Sequence, residues 1–354
     1  MPDILMIILG CDCDPDRPRY GGARYDSHRP ALTWRGLTEG IPALEERLRR
    51  VGTIAGVTPK AVFFLRSDIQ MQEIYGSAAW PVVQFQEMWH RLEGQGHEIA
   101  WHPHVWRWSD QWGCWFQETK DSPWIAECLE VGYSDFAKRF GSNPVTCHMG
   151  WTFHNNCTMQ KLAELGVKID FSASPGVHFG GGPGDGGTVF DNRIDWLETP
   201  FEWYRPSESD YRRPARAGEK ELAIIEVPKF TSESGVLRRL KDIAARGKRT
   251  PGHEAGAAVF LQVTALPVLY GTIIKQRLQR KEAEPFFATY FHPDELLGGK
   301  QHSSVGFLYS LDHLEKNLLR LIDSARKKGR DVAFVTGVEA LKYIQRLDTR
   351  GTPG

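Results

Sequence analysis

The chain has 354 residues, 41% hydrophobic and 25% charged, the balance of an ordinary globular protein. Its 44 basic residues meet 44 acidic ones and the pI is about 7.2, which argues against binding nucleic acid or an anionic membrane by bulk charge. A chain this long buries a large core without disulfides, so its six cysteines, none in a CxxC, are expected as reduced thiols in the cytoplasm.

In chain order, Ile4–Leu9 is a run of six apolar residues with no basic segment before it, and it leads straight into Cys11-Asp12-Cys13-Asp14. That pattern predicts a buried first strand rather than a signal peptide. Pro15 to Gly36 reads as a long polar loop, followed by an amphipathic helix over Ile41–Val51 and a strand over Ala61–Leu65. A helix over Val82–Leu92 and a strand over Glu98–Trp101 come next. Six of the twelve tryptophans then lie between Trp101 and Trp124. The periodicity continues with a helix over Trp124–Phe140, a strand over Val145–His148, a helix over Cys157–Leu165 and a strand over Val167–Phe171. Gly176 to Gly187 is a glycine-rich loop, a weak phosphate-binding signal because no apolar strand feeds directly into it.

A strand over Leu222–Val227 precedes a long insertion at about 235–284. Within it, Val259–Ile274 is apolar but interrupted by Gln262, Thr264, Pro267 and Gly271, too short and too polar to span a bilayer. It is expected as a packed helix or a subunit contact in a homo-oligomer. Peripheral membrane contact is the alternative, since Lys275, Arg277, Arg280 and Lys281 follow it. Strands over Phe286–Phe291 and Val332–Val335 flank a last helix, Leu311–Lys328. Strand–helix alternation at this spacing predicts a parallel α/β sheet, and seven or eight strands in one domain over residues 1–354 favour a (β/α) barrel over a doubly wound sheet.

In such a barrel the functional groups sit at the C-terminal ends of the strands. Those ends carry Asp12 and Asp14, Arg66 and Asp68, His102 and His104, His148, and His292. Side chains two apart on an extended chain share a face, so Asp12 pairs with Asp14 and His102 with His104. Two imidazoles with one or two carboxylates suit a mononuclear divalent metal with open positions: zinc, with iron, manganese or cobalt as alternatives. Asp16 reads instead as a turn residue, and His28, His90, His253, His302 and His313 as hydrogen-bonded structural histidines. The tryptophan segment reads either as an apolar, hydrogen-bonding wall over the site or as a hydrophobic shell beneath a long loop; Trp106 and Trp108 lie nearest the histidine pair and are the candidate substrate contacts. Arg66 is a candidate reader of a charged substituent or, equally, an ion-pair partner.

Several segments resemble the polysaccharide deacetylases, the NodB-homology group of carbohydrate esterase family four. Gly96-His97-Glu98-Ile99-Ala100-Trp101-His102 is similar to their GHEIG-x-H segment, and the first strand with Asp12 and Asp14 to their aspartate-rich motif. Ala61 to Leu65 resembles the strand that follows, and His148-Met149-Gly150-Trp151 the third motif. Asp195-Trp196 falls near the fourth, and Tyr290-Phe291-His292-Pro293 resembles the closing histidine motif.

The resemblance implies a distorted (β/α) barrel of about seven parallel strands. It implies a divalent metal on one aspartate and two histidines, a second aspartate as base and a late histidine as acid. Carried onto this chain, Asp12 is the base, Asp14 and His102 are metal ligands, and His292 is the acid. The aspartates are separated by Cys13 where the family has them adjacent, so the two roles could be exchanged. Trp106 stands where the second metal histidine normally falls, and His104 is the substitute. His148 replaces an arginine that steadies the base; with Trp151 it is expected beside the substrate. The implied activity is removal of an N-acyl group, chiefly N-acetyl, from a glycan, sugar or related small amide. A non-catalytic ligand-binding protein on this barrel, or hydrolysis of a non-acetyl amide, is the alternative.

Overall fold

A computed structural model describes residues 3–16, 27–179, 182–183, 189–190, 194–232, 258, 260–280, 285–297 and 309–351. In chain order the elements begin with β1 (Ile4–Cys13), α1 (Ile41–Ala55), β2 (Val62–Arg66), α2 (Ile69–Tyr75), α3 (Trp80–Gln84) and α4 (Gln86–Gly94). Then come β3 (Glu98–His102), a hairpin of β4 (Trp106–Ser109) and β5 (Cys114–Gln117), α5 (Ser122–Phe140), β6 (Thr146–Cys147), α6 (Asn156–Leu165) and β7 (Ile169–Asp170). The short strands β8 (His178–Phe179), β9 (Gly182–Pro183), β10 (Val189–Phe190) and β11 (Ile194–Asp195) form two small antiparallel pairs. The chain continues through β12 (Ile225–Glu226), α7 (Pro267–Gln279), β13 (Phe286–Phe291), α8 (Leu311–Arg326), β14 (Asp331–Phe334) and α9 (Gly337–Gly351).

The main sheet is parallel throughout and runs β12-β7-β6-β3-β2-β1-β13. β14 also pairs with β1, at Ile4–Ile7, while β2 pairs with Gly10–Cys13. Met6 and Ile7 pair with both β13 and β14, so these two strands lie on opposite edges of β1. Beyond β12, Lys229 bridges in parallel to Ala288, and the Phe230 N–H donates to the Ala288 carbonyl at 3.1 Å. This contact brings the far edge round to β13 and curls the sheet into the deacetylase-like barrel that the strand count predicts.

Period-two alternation sorts the side chains into two layers. On β1, Leu5, Ile7, Leu9, Cys11 and Cys13 face the surrounding helices, whereas Met6 and Ile8 face inward. The inner cluster is completed by Val62, Phe64, Ala100, Ile169, Phe171, Ile225, Val227, Phe286 and Ala288, with Ala340 and Ile344 of α9. Inward parity therefore belongs to even residues on β1, β2, β3 and β13 and to odd residues on β12. Extended past the apolar layer, it points Asp12, Arg66, His102, Lys229 and His292 into the barrel. Gly10 provides clearance inside, since a Cβ there would come within 2.9 Å of the Phe64 ring.

The expected helix over Val82–Leu92 is two helices, because Phe85 leaves helical dihedrals (φ −116°, ψ 28°). Its ring sits among Trp34, Trp80 and Trp89, and that packing outweighs continuation of the helix. The second half of the apolar stretch within the expected insertion opens the helix α7, which buries Tyr270, Gly271, Ile273, Ile274 and Arg277. Most of that insertion, His253 and His302, and the middle of the glycine-rich loop lie outside the described residues. No helix among the described residues is long and apolar enough to cross a membrane. The six cysteines are unpaired, and all but Cys157 are buried.

Candidate metal and catalytic site

The strand ends converge as parity requires. His102 Nε2 lies 3.1 Å from His104 Nε2, and Asp14 offers Oδ2 at 3.6 Å to the first and Oδ1 at 3.4 Å to the second. Ligand atoms about 2.0–2.2 Å from one ion stand roughly 3–3.5 Å apart, so these three groups have metal-site spacing. His102 Nδ1 faces the His148 carbonyl oxygen, which can only accept; its hydrogen therefore sits on Nδ1 and Nε2 keeps a lone pair. Asp14 and His102 thus fit a divalent ion in both position and chemistry. His104 fits in position, but the Trp106 indole N–H donates to its Nδ1 at 2.8 Å. That leaves the neutral ring's hydrogen on Nε2, the atom an ion would need, so His104 would ligate an ion only with the indole bond released.

The surroundings hold these groups in place. Arg66 is fully buried and binds Asp14 at 2.8 Å, Gln70 at 2.6 Å and Asp68. Asp68 also accepts from Met71 N, capping α2, and from His104 N at 3.1 Å. One carboxylate therefore fixes both the arginine and the backbone of a candidate ligand. Behind His104 the chain passes through Trp151 (φ 58°) and Thr152 (φ 52°), left-handed conformations that cost about 1–2 kcal/mol each. They place Gly150 flat against the His104 ring. The turn is held by Gly150 N donating to the Pro103 carbonyl and by the Trp196 indole donating to the Thr152 carbonyl.

Asp12 lies beside this triad. His148 Nδ1 sits 2.7 Å from Asp12 Oδ1, and His292 Nε2 is 3.8 Å from Oδ2. Glu295 takes the other ring nitrogen of His292 at 3.1 Å and is itself bound by Thr264. Lys229 Nζ is 2.6 Å from His148 Nε2 and 4.7 Å from the centre of the Tyr290 ring. Burial alone would raise the Asp12 carboxyl, but His148, His102 and His292 hold it well below the ordinary range. Asp14 is likewise held down against burial by His104 and His102. Burial lowers His148 to about 4, with Lys229 adding to the shift against the pull of Asp12, and burial brings Lys229 down to about 8. Near neutral pH the site therefore presents two charged carboxylates and a neutral His148.

Exposure marks the way in. The Asp14 and His292 side chains retain 11% and 14% exposure, whereas Asp12, His102, His104 and His148 retain 6% or less. Trp106 has no exposed surface and lies behind His104; Arg66 is equally enclosed. Trp108 donates to Asp110 and stacks on His28 at 4.8 Å, and Trp151 packs on Trp106 at the rim. Trp101 and Trp115 are also fully buried, donating to the carbonyls of Ser67 and His28. Much of the tryptophan excess therefore builds the β4–β5 wall and its supports. Asp195 pairs with Arg212 at 2.6 Å.

Lys229, Glu295 and the close approach of Gly150 also belong to the site. The alternation Ile225-Val227-Lys229 could have found the first, and the His292–Glu295 spacing on a turn the second. A further cluster, His154 with Asp170 and Glu226, ties β7 to β12 on the outer face of the sheet. Its carboxylates accept from Ser172 N and Ala173 N, and burial with Asp170 as neighbour raises the Glu226 carboxyl well above its ordinary range.

A curled parallel sheet with a recessed mouth of aspartates and histidines is a deacetylase-like (β/α) barrel fold. No family model and no curated protein matches the chain. Among solved structures, a Parabacteroides distasonis protein provisionally assigned as a glycoside hydrolase/deacetylase superposes with TM-score 0.55 at 13% identity, over 97% of this chain and 72% of that one. A Mycobacterium smegmatis protein provisionally assigned as a polysaccharide deacetylase matches with TM-score 0.48 at 14% identity, over 99% and 93% of the two chains. An allantoinase matches with TM-score 0.48 at 12% identity, over 96% and 90%. The first of these likenesses, at 13% identity, shows the fold alone.

Proposed function

We propose that the chain is a metal-dependent hydrolase that removes an N-acyl group, acetyl first among them, from an amino sugar, a glycan or a related small amide. The observation that carries this reading is the convergence of Asp14, His102 and His104 beside a second charged carboxylate, Asp12. A divalent ion held by those three residues, zinc foremost, would supply Lewis acidity to the acyl carbonyl and to an attacking water. The remaining steps belong to the chain. Asp12 Oδ1 is engaged by His148, which leaves Oδ2 to accept the water's proton. Glu295 binds His292 Nδ1 and turns Nε2 toward the same side of the site; with both ring nitrogens protonated, the Nε2 proton can pass to the leaving amine. Arg66 binds both Asp14 and Asp68 from below and offsets part of their charge. The products are a primary amine and a carboxylate.

The test is metal analysis of the purified full-length protein after reconstitution, with a mass-spectrometric screen for acyl release from N-acylated sugars. The reading expects a stoichiometric divalent ion, chelator-sensitive turnover and loss of turnover in Asp12→Asn; failure to take up any divalent ion would sink it. A second reading, a ligand-binding protein on the same barrel without hydrolysis, draws support from the Trp106 indole on His104. It expects ligand binding that Asp12→Asn leaves unchanged, and no turnover across the screen.

A further inference from the structure

His148 stands beside the Asp12 carboxylate, with Nδ1 2.7 Å from Oδ1. A cation reaches this position from a different strand. Lys229 follows β12 by three residues, on the inward parity of Ile225 and Val227. Its backbone is fixed on both sides, by its N–H to the Ala173 carbonyl at 2.9 Å and by its bridge to Ala288 of β13. Its side chain is 3% exposed and ends between the Tyr290 face, at 4.7 Å, and His148 Nε2, at 2.6 Å.

An ammonium has only hydrogens to offer, so His148 Nε2 must accept and the ring's single hydrogen must sit on Nδ1. That hydrogen points at Asp12 Oδ1, 2.7 Å away. The ring cannot turn out of this line easily, since Phe64, His102 and Tyr290 pack around it at 5.3, 5.4 and 5.8 Å. We propose that Lys229 is a positioning residue for the Asp12 carboxylate, acting through His148: it fixes the Nδ1–H tautomer and supplies, one imidazole behind the base, the positive charge that His148 lacks. No proton need leave Lys229 in the reaction. Its hydrogen bond holds the histidine as a donor, and the charge-assisted pair keeps Asp12 Oδ2 turned toward the substrate side. The catalytic half of this inference rests on Asp12 acting as the base; the tautomer half does not.

The experiment therefore has two readouts on the full-length protein. Nitrogen NMR of 15N-histidine-labelled wild type at neutral pH, with His148 assigned by its loss in His148→Gln, should show hydrogen on Nδ1 and an accepting Nε2. A His148 ring carrying its hydrogen on Nε2 overturns the proposal whatever the chemistry proves to be, and it does so even if the lysine variant fails to fold. The second readout is kinetic, on whichever acyl substrate the screen yields. Lys229→Met should lower kcat by about 10- to 100-fold with KM little changed, and Lys229→Arg should recover most of the loss. A folded Lys229→Met enzyme with kcat within about twofold of wild type would overturn the proposal. Absence of turnover in every protein, with the Nδ1–H tautomer present, would leave Lys229 holding Asp12 in a non-hydrolytic site and would count against the proposed function instead.

Discussion

Gly150→Ala tests whether the ring position of His104 is set by the chain behind it. The glycine has an ordinary backbone conformation, so the substitution is a matter of space alone. An alanine Cβ would overlap Cγ, Cδ2 and Nε2 of His104, and reaching van der Waals contact requires the ring to move by about 1 Å. The ring has little room to yield. Trp106 holds its far nitrogen, Asp68 holds its backbone, and the Gly150 backbone is pinned to Pro103. Overpacking in so fixed a site costs about 1–3 kcal/mol of stability, and a 1 Å displacement of a reacting or ligating group costs on the order of 100-fold in function. The assay is chemical denaturation together with competitive metal titration of wild type and variant. Unchanged metal affinity and an unchanged denaturation midpoint would refute the packing assigned to His104 and, with it, its place in the triad.

Four other outcomes are expected. His102→Ala should abolish stoichiometric metal binding while leaving a folded barrel; retained metal would remove His102 from the ligand set. Trp106→Phe removes the indole donor on His104 Nδ1, so metal affinity should rise, and an unchanged or lower affinity in calorimetric titration would argue against the indole's control of that ring. His148 is lowered from 6.5 to about 4 in the fold, so on acidification the unfolded chain binds a proton first. Its contribution is full above pH 6.5, falls as pH drops toward 4, and amounts to about 3 kcal/mol. Denaturation midpoints at neutral pH and near pH 4 should thus converge more in His148→Gln than in wild type, and equal pH dependence would contradict the assignment. Glu226, whose carboxyl burial and the neighbouring Asp170 push well above its ordinary range, should tolerate Gln within about 1 kcal/mol, whereas Asp170→Asn should cost about 2–4 kcal/mol because it weakens acceptors for His154 and Ser172. The reverse order in thermal unfolding would show that the charge lies on Glu226.

What the sequence determined by itself was the set of strands and the face each presents. Leu5 to Leu9 and Phe286–Phe291 are apolar on both faces because both faces are buried, and the two-residue period then assigns Asp12, His102 and His292 to the barrel interior. Those are local properties, written in neighbouring residues. The tertiary structure decided which inward groups meet and in what chemical state. Asp12 and His148 are 136 residues apart and His148 and Lys229 are 81 apart, distances over which no periodicity carries information. The tryptophans are the clearest case: composition marked the cluster, but only the closing of β4 on β5 decided that Trp106 would be sealed behind His104 with its one hydrogen spent on that ring. A hydrogen bond has two partners, and the chain folds them together only when the barrel closes.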